Sequence, residues 1–142
     1  MAKKKKILIV DDNDDVLRGL RVLFRAHDYV TVVAGDAVTA ISQAKSENPD
    51  LIVLDLGLPA GDGYLVMERL ANIEALASVP VIVFTARDEE SHRERSLEAG
   101  AKAFFQKPVD PAELLQAVKQ VLEGPSPMQP SLIPMNLANR PT

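Results

Sequence analysis

The stretch "ILIVDDNDDVL", Ile7 to Leu17, joins four apolar residues to four carboxylates packed within five positions. Ile7–Val10 has the length and β-branched content of a buried strand. Val16, Leu17, Leu20, Leu23 and Phe24 then recur at helical spacing. A strand therefore runs through an acidic turn into a helix, and the acids divide between the two. Asp11 and Asp12 end the strand. Asp14 and Asp15 open the helix, where acids satisfy free N–H groups and face the positive end of the helix dipole. Asp14 is the expected N-cap, with Asn13 the alternative.

The same strand-then-helix unit repeats outward from this point. Val30–Val33 is a second β-branched run, followed by Ala37, Ala40, Ile41 and Ala44 on a small-residue helical face. Leu51–Leu54 follows the Asn48–Pro49 break, and Leu65, Val66, Arg69, Leu70 and Ile73 mark the third helix. Val81–Phe84 is a fully apolar fourth strand. Residues 88–99 look helical but carry little apolar surface beyond Leu97 and Ala99. Ala103–Phe105 is a short fifth strand. Leu114, Leu115, Val118, Val121 and Leu122 form a last amphipathic helix, opened by Asp110–Pro111 and closed by Gly124. Five such units in series predict an α/β fold, a doubly wound parallel sheet with helices on both faces. The flavodoxin-like strand order 2-1-3-4-5 is expected. Residues 1–123 read as one domain. Residues 124–142 read as a Pro-rich disordered tail or linker, with five prolines and no acid in nineteen positions.

Composition narrows the classes. The 142 residues carry a net charge of −4, so no global basic character points to nucleic acid or membrane. There is no cysteine, which excludes a disulfide framework and a thiolate zinc site and is compatible with the expected cytoplasmic location. No apolar run approaches the roughly 18 residues of a membrane helix. Lys3–Lys6 read as a solvated terminus, and the four apolar residues after them are too few for a signal peptide.

In open parallel sheets ligands bind beyond the carboxyl ends of the strands. Those ends deliver Asp11 and Asp12, then Asp55, then Thr85, then Lys107 followed by Pro108. With strands one and three adjacent, three carboxylates converge, and they cannot all stay ionised without a cation. An all-oxygen donor set points to Mg2+, with Mn2+ as a substitute. Lys107 and Thr85 suit phosphate oxygens, and Asp55 could accept a phosphoryl group as nucleophile. His27 and His92 fall at no strand end and are given no ligand role.

Together "VDD" at 10–12, "DLGLPAGDG" at 55–63, "TA" at 85–86 and "KP" at 107–108 make the chain resemble the receiver domain of two-component response regulators, over roughly residues 5–123. The resemblance implies that Asp55 accepts phosphate from a sensor histidine kinase or a histidine phosphotransfer protein, and that the chain catalyses its own phosphorylation and dephosphorylation while acting mainly as a switch. It implies Asp11, Asp12 (the preferred direct ligand of the pair), Asp55 and the Gly57 carbonyl as magnesium ligands. Lys107 pairs with phosphate, and its bond to Pro108 is expected to be cis. Thr85 is the switch hydroxyl. Phe104 takes the switch-aromatic position, without the hydroxyl that a tyrosine would bring. Gly57 and Arg87 flank the site and tune phosphate lifetime in opposite directions. Output is expected from the fourth helix, fifth strand and fifth helix, to a partner protein or a C-terminal effector domain beyond this chain, with a phosphorylation-dependent homodimer also open. Rival readings are an aspartate-nucleophile phosphatase or hydrolase, a nucleotide-binding module and a phosphorylation-independent scaffold. The hydrolase needs a second acid where Gly57 stands. The nucleotide module lacks a Gly-rich phosphate loop after the first strand.

Overall fold

The computed structural model describes residues 3–124. Its elements are β1 (Lys6–Val10), α1 (Asp14–Arg25), β2 (Val30–Ala34), α2 (Ala37–Glu47), β3 (Leu51–Leu54), α3 (Gly63–Ala71), a 3-10 turn at Glu74–Leu76, β4 (Val81–Thr85), α4 (Glu89–Glu98), β5 (Ala103–Gln106) and α5 (Pro111–Glu123). The five strands are parallel and lie in the order β2-β1-β3-β4-β5, the order the sequence predicts. The segment 125–142, read above as a tail or linker, lies outside the described residues.

The two-residue period of the strands splits the core into two layers. Leu8, Val10, Ile52, Leu54 and Val83 face α2 and α3, where they meet Ala40, Ala44, Val66, Met67 and Leu70. Ile7, Ile9, Leu51, Val53 and Ile82 face the other way and meet Leu20, Phe24, Leu114 and Val118 of α1 and α5. Ala at positions 37, 40 and 44 lets α2 sit close to the sheet, and all three are buried.

Every one of these five helices starts on an Asn or Asp side chain that accepts from a free backbone N–H. These caps are Asn13, Asp36, Asp62, Asp88 and Asp110. For α1 this corrects the expectation. Asn13 is the cap, accepting from Asp15 N at 2.9 Å and Val16 N at 3.2 Å, and Asp14 is already inside the helix. The reason is spacing: Asn13 is the last residue in extended conformation, so its side chain reaches the N2 and N3 amides. Two other details differ. Lys6 belongs to β1 and pairs with Glu47 at 3.0 Å, so it is not a merely solvated lysine. Helix α3 ends at Ala71, and Ile73 leads into the 3-10 turn.

Candidate functional site

Four strand ends, those of β1, β3, β4 and β5, build the site, and the sheet register places them side by side. Val10 pairs with Ala34 and Leu54. One residue further on, Asp11 N donates to Ala34 O at 3.0 Å and Asp55 N to Val10 O at 2.9 Å. The backbones of both acids are thus fixed by the last rungs of the ladder. Thr85 pairs with Gln106, and Lys107 N donates to Thr85 O at 2.7 Å. The Lys107–Pro108 bond is cis.

Asp11, Asp12 and Asp55 each present a carboxylate oxygen to a common point, all within 4.8 Å of one another. Asp11 and Asp55 are buried at 2% and 8% exposure, and Asp12 is open to solvent. The Lys107 ammonium stands among them. It donates to Asp11 Oδ2 at 2.6 Å and lies 3.8 Å from Asp55 Oδ2. Three carboxylates against one ammonium leave a formal charge of −2 when all are ionised. Burial pushes the Asp11 carboxyl above its ordinary value. The bonds from Lys107 and the Asn13 amide pull it back, and the charge of Asp55 adds to the push. Asp11 Oδ1 accepts from Asn13 N at 2.9 Å, and Asp55 Oδ1 from Gly57 N at 3.2 Å.

Around this centre, Thr85 is fully buried and its Oγ1 accepts from Arg87 N at 3.3 Å. Arg87 folds back over Gly57: a Cβ added there would lie 3.8 Å from Arg87 Nε. Phe104 is packed inward, 4% exposed, in the core layer that holds Val83. Gly63 closes the loop after Asp55. A Cβ there would lie 2.6 Å from Asp55 O and 2.9 Å from Leu56 Cα, so only glycine fits this close approach of α3 to the strand end. The donor set is all oxygen, the sign of the charge is right, and an ammonium already stands as a stand-in cation. A hard divalent ion fits this site.

A family model described as the response regulator receiver domain matches residues 7–119. The chain belongs to the response regulator receiver family. Among curated relatives, the alkaline phosphatase synthesis transcriptional regulatory protein PhoP of Bacillus subtilis (strain 168) is 36% identical over 127 residues, covering 89% of this chain and 52% of that protein. The chain spans about half the length of such relatives. Among solved structures, the BeF3-activated N-terminal receiver domain of Klebsiella pneumoniae RstA superposes with a TM-score of 0.78 at 29% identity, over 84% of this chain and 99% of that one. The receiver domain of the sensor histidine kinase PA1611 from Pseudomonas aeruginosa PAO1, with a magnesium ion coordinated in its active site cleft, gives 0.77 at 28% identity, over 84% and 98%.

In this receiver the fold brings together Asp11, Asp12, Asp55 and Lys107, with Thr85, Gly57 and Arg87 adjoining. The sequence reading assigned Lys107 to phosphate and did not foresee that it rests on Asp11. That choice depends on a distance across 96 residues, which no local pattern carries. It also passed over Tyr64 and gave His92 no role, yet their side chains meet at 2.8 Å. No helix among the described residues is long and apolar enough to cross a membrane.

Proposed function

We propose that this receiver takes a phosphoryl group onto Asp55 from a sensor histidine kinase or a histidine phosphotransfer protein, in a Mg2+-dependent reaction in the cytoplasm. The observation that carries the reading is the convergence of three carboxylate oxygens within 4.8 Å around one lysine. Asp11, Asp12, Asp55 and the Gly57 carbonyl are the residues that would hold the metal, with Mn2+ a workable substitute. The bound ion supplies charge neutralisation for the phosphoryl oxygens.

The chain's own groups do the rest. An Asp55 carboxylate oxygen attacks phosphorus as the N–P bond to the donor imidazole breaks, and the leaving imidazole takes up a proton. Lys107 leaves Asp11 and pairs with the transferred group, which carries about two negative charges. The Thr85 hydroxyl turns toward the acyl phosphate and vacates space that the Phe104 ring, already packed inward, can fill. Gly57 leaves water a path to the phosphate, whereas Arg87 covers it, so the two set its lifetime between them. The changed surface of α4, β5 and α5 then signals to a partner protein or to an effector domain beyond residue 142, or pairs with a second copy. Residues 1–123 form the receiver unit in this reading, and 124–142 serve as tail or linker.

The test uses acetyl phosphate and magnesium with intact-mass spectrometry. A single phosphate adduct is expected on the wild-type chain and none on Asp55→Asn. Turnover of assorted phosphate esters without an adduct would overturn the reading in favour of a hydrolase.

A further inference from the structure

Helix α4 has an unusual anchorage. Its only fully buried residue is Ser96, and Leu97 is 38% exposed. A helix without an apolar face must be held by something else. On one side it is tied to β5: Arg93 Nη1 donates to Phe104 O at 3.4 Å, and Glu89 N to Gln106 Oε1 at 2.8 Å. On the other side a single residue of α3 gathers three of its side chains. The Tyr64 hydroxyl lies 2.8 Å from His92 Nδ1 and 3.5 Å from Ser96 Oγ. The Arg95 guanidinium carbon sits 3.7 Å from the Tyr64 ring centroid, and the His92 ring stacks at 6.0 Å. One hydroxyl and one aromatic face thus supply hydrogen-bond and cation–π contacts where other helices bury leucines.

Tyr64 is also the residue after Gly63, which is pressed against the backbone of Asp55. Gly63 N donates to Leu56 O at 2.9 Å, and its Cα leaves no room for a methyl beside Asp55 O. A displacement of the Asp55 backbone must therefore move the first turn of α3, and with it the clasp on α4. We propose that Tyr64 fixes the position of α4 and transmits changes at Asp55 to it through the N-terminus of α3, a route separate from Thr85 and Phe104. The transmission half rests on the reading of Asp55 as the phosphoryl acceptor; the anchoring half does not. Tyr64 is a positioning residue and touches no reacting atom.

Hydrogen exchange by mass spectrometry on the full chain tests both halves, with wild type, Tyr64→Phe and Tyr64→Ala compared. Without ligand, exchange in residues 89–98 is expected to rise roughly fivefold or more in Tyr64→Ala, the scale set by losing one net hydrogen bond or its equivalent. Tyr64→Phe, which keeps the ring under Arg95, is expected to show a smaller rise in the same segment. With magnesium and beryllofluoride, wild type should show a change in 89–98 that falls to less than half in Tyr64→Ala, while adduct formation from acetyl phosphate persists. Unchanged ligand-free exchange in both variants overturns the clasp. An undiminished response to beryllofluoride in Tyr64→Ala overturns the transmission. Absence of any wild-type adduct would sink the Asp55 reading and the transmission with it, and the ligand-free comparison then decides the anchoring alone.

Discussion

Asn13 serves two neighbours with different atoms. Its side chain caps α1, and its backbone N–H donates to Asp11 Oδ1. The division makes its substitution informative. Asn13→Ala removes the cap and keeps the N–H, so it should cost about 0.5–2 kcal/mol in urea unfolding and leave magnesium affinity nearly unchanged. Asp14→Ala should cost less, because Asp14 already lies inside the helix. At this scale the sequence was legible wherever a residue type and a strand end coincide, as for Asp11, Asp55, Thr85 and Lys107. It was not legible between adjacent residues of similar chemistry. Asn13 and Asp14 are both good caps, and only the backbone angle at residue 13 separates them.

Elements are tied together by a few pairs that no periodicity reveals. Tyr29, just before β2, donates its hydroxyl to Glu123 at the end of α5 at 3.1 Å. Burial, then the bond and charge of Glu123, push the Tyr29 hydroxyl up to about 12. The folded chain therefore holds this proton more tightly than the unfolded one. The stabilisation is complete below about pH 10 and is lost as pH rises from there toward 12. The chain has two tyrosines, so in Tyr64→Phe the ultraviolet titration should report Tyr29 alone, with a midpoint near 12 that falls toward 10 when Glu123→Gln is added. At the acid end the sign reverses. Hydrogen bonds from the Thr39 amide and hydroxyl to Asp36, and from the Ser91 side chain and then its amide to Asp88, hold these carboxyls below the ordinary range, so their contribution is full above it and lost as pH falls through the lowered values. Strand positions were readable from apolar runs, and β3 begins and ends where the run does. The α3–α4 clasp was not, since Tyr64 and His92 lie on different helices and each looks like an ordinary half-buried residue.

Across the whole molecule, five strand–helix units and the preference for right-handed crossovers leave few strand orders, and the chain adopts the expected one of these. That order alone brings an acid at residue 55 beside two at residues 11 and 12. The gathering concentrates negative charge beyond the carboxyl ends of the central strands β1 and β3, and a ligand that relieves it must stabilise the fold. Magnesium at a few millimolar should raise the melting temperature of the wild type. The rise should vanish in Asp12→Ala, whose solvent-facing side chain can be removed with the fold kept, as circular dichroism would show.

The Lys107–Asp11 contact would make the lysine a tethered competitor for the metal proposed above. A cation held in the chain acts at a high effective concentration that dilution cannot lower. A magnesium affinity at the proposed site would then be the difference between two occupancies of one place. Affinity and reactivity should therefore separate on substitution. In Lys107→Ala, magnesium should bind more tightly by calorimetry, while the acetyl phosphate adduct is lost. Weaker binding in that variant would mean the lysine helps to build the site instead of holding its place.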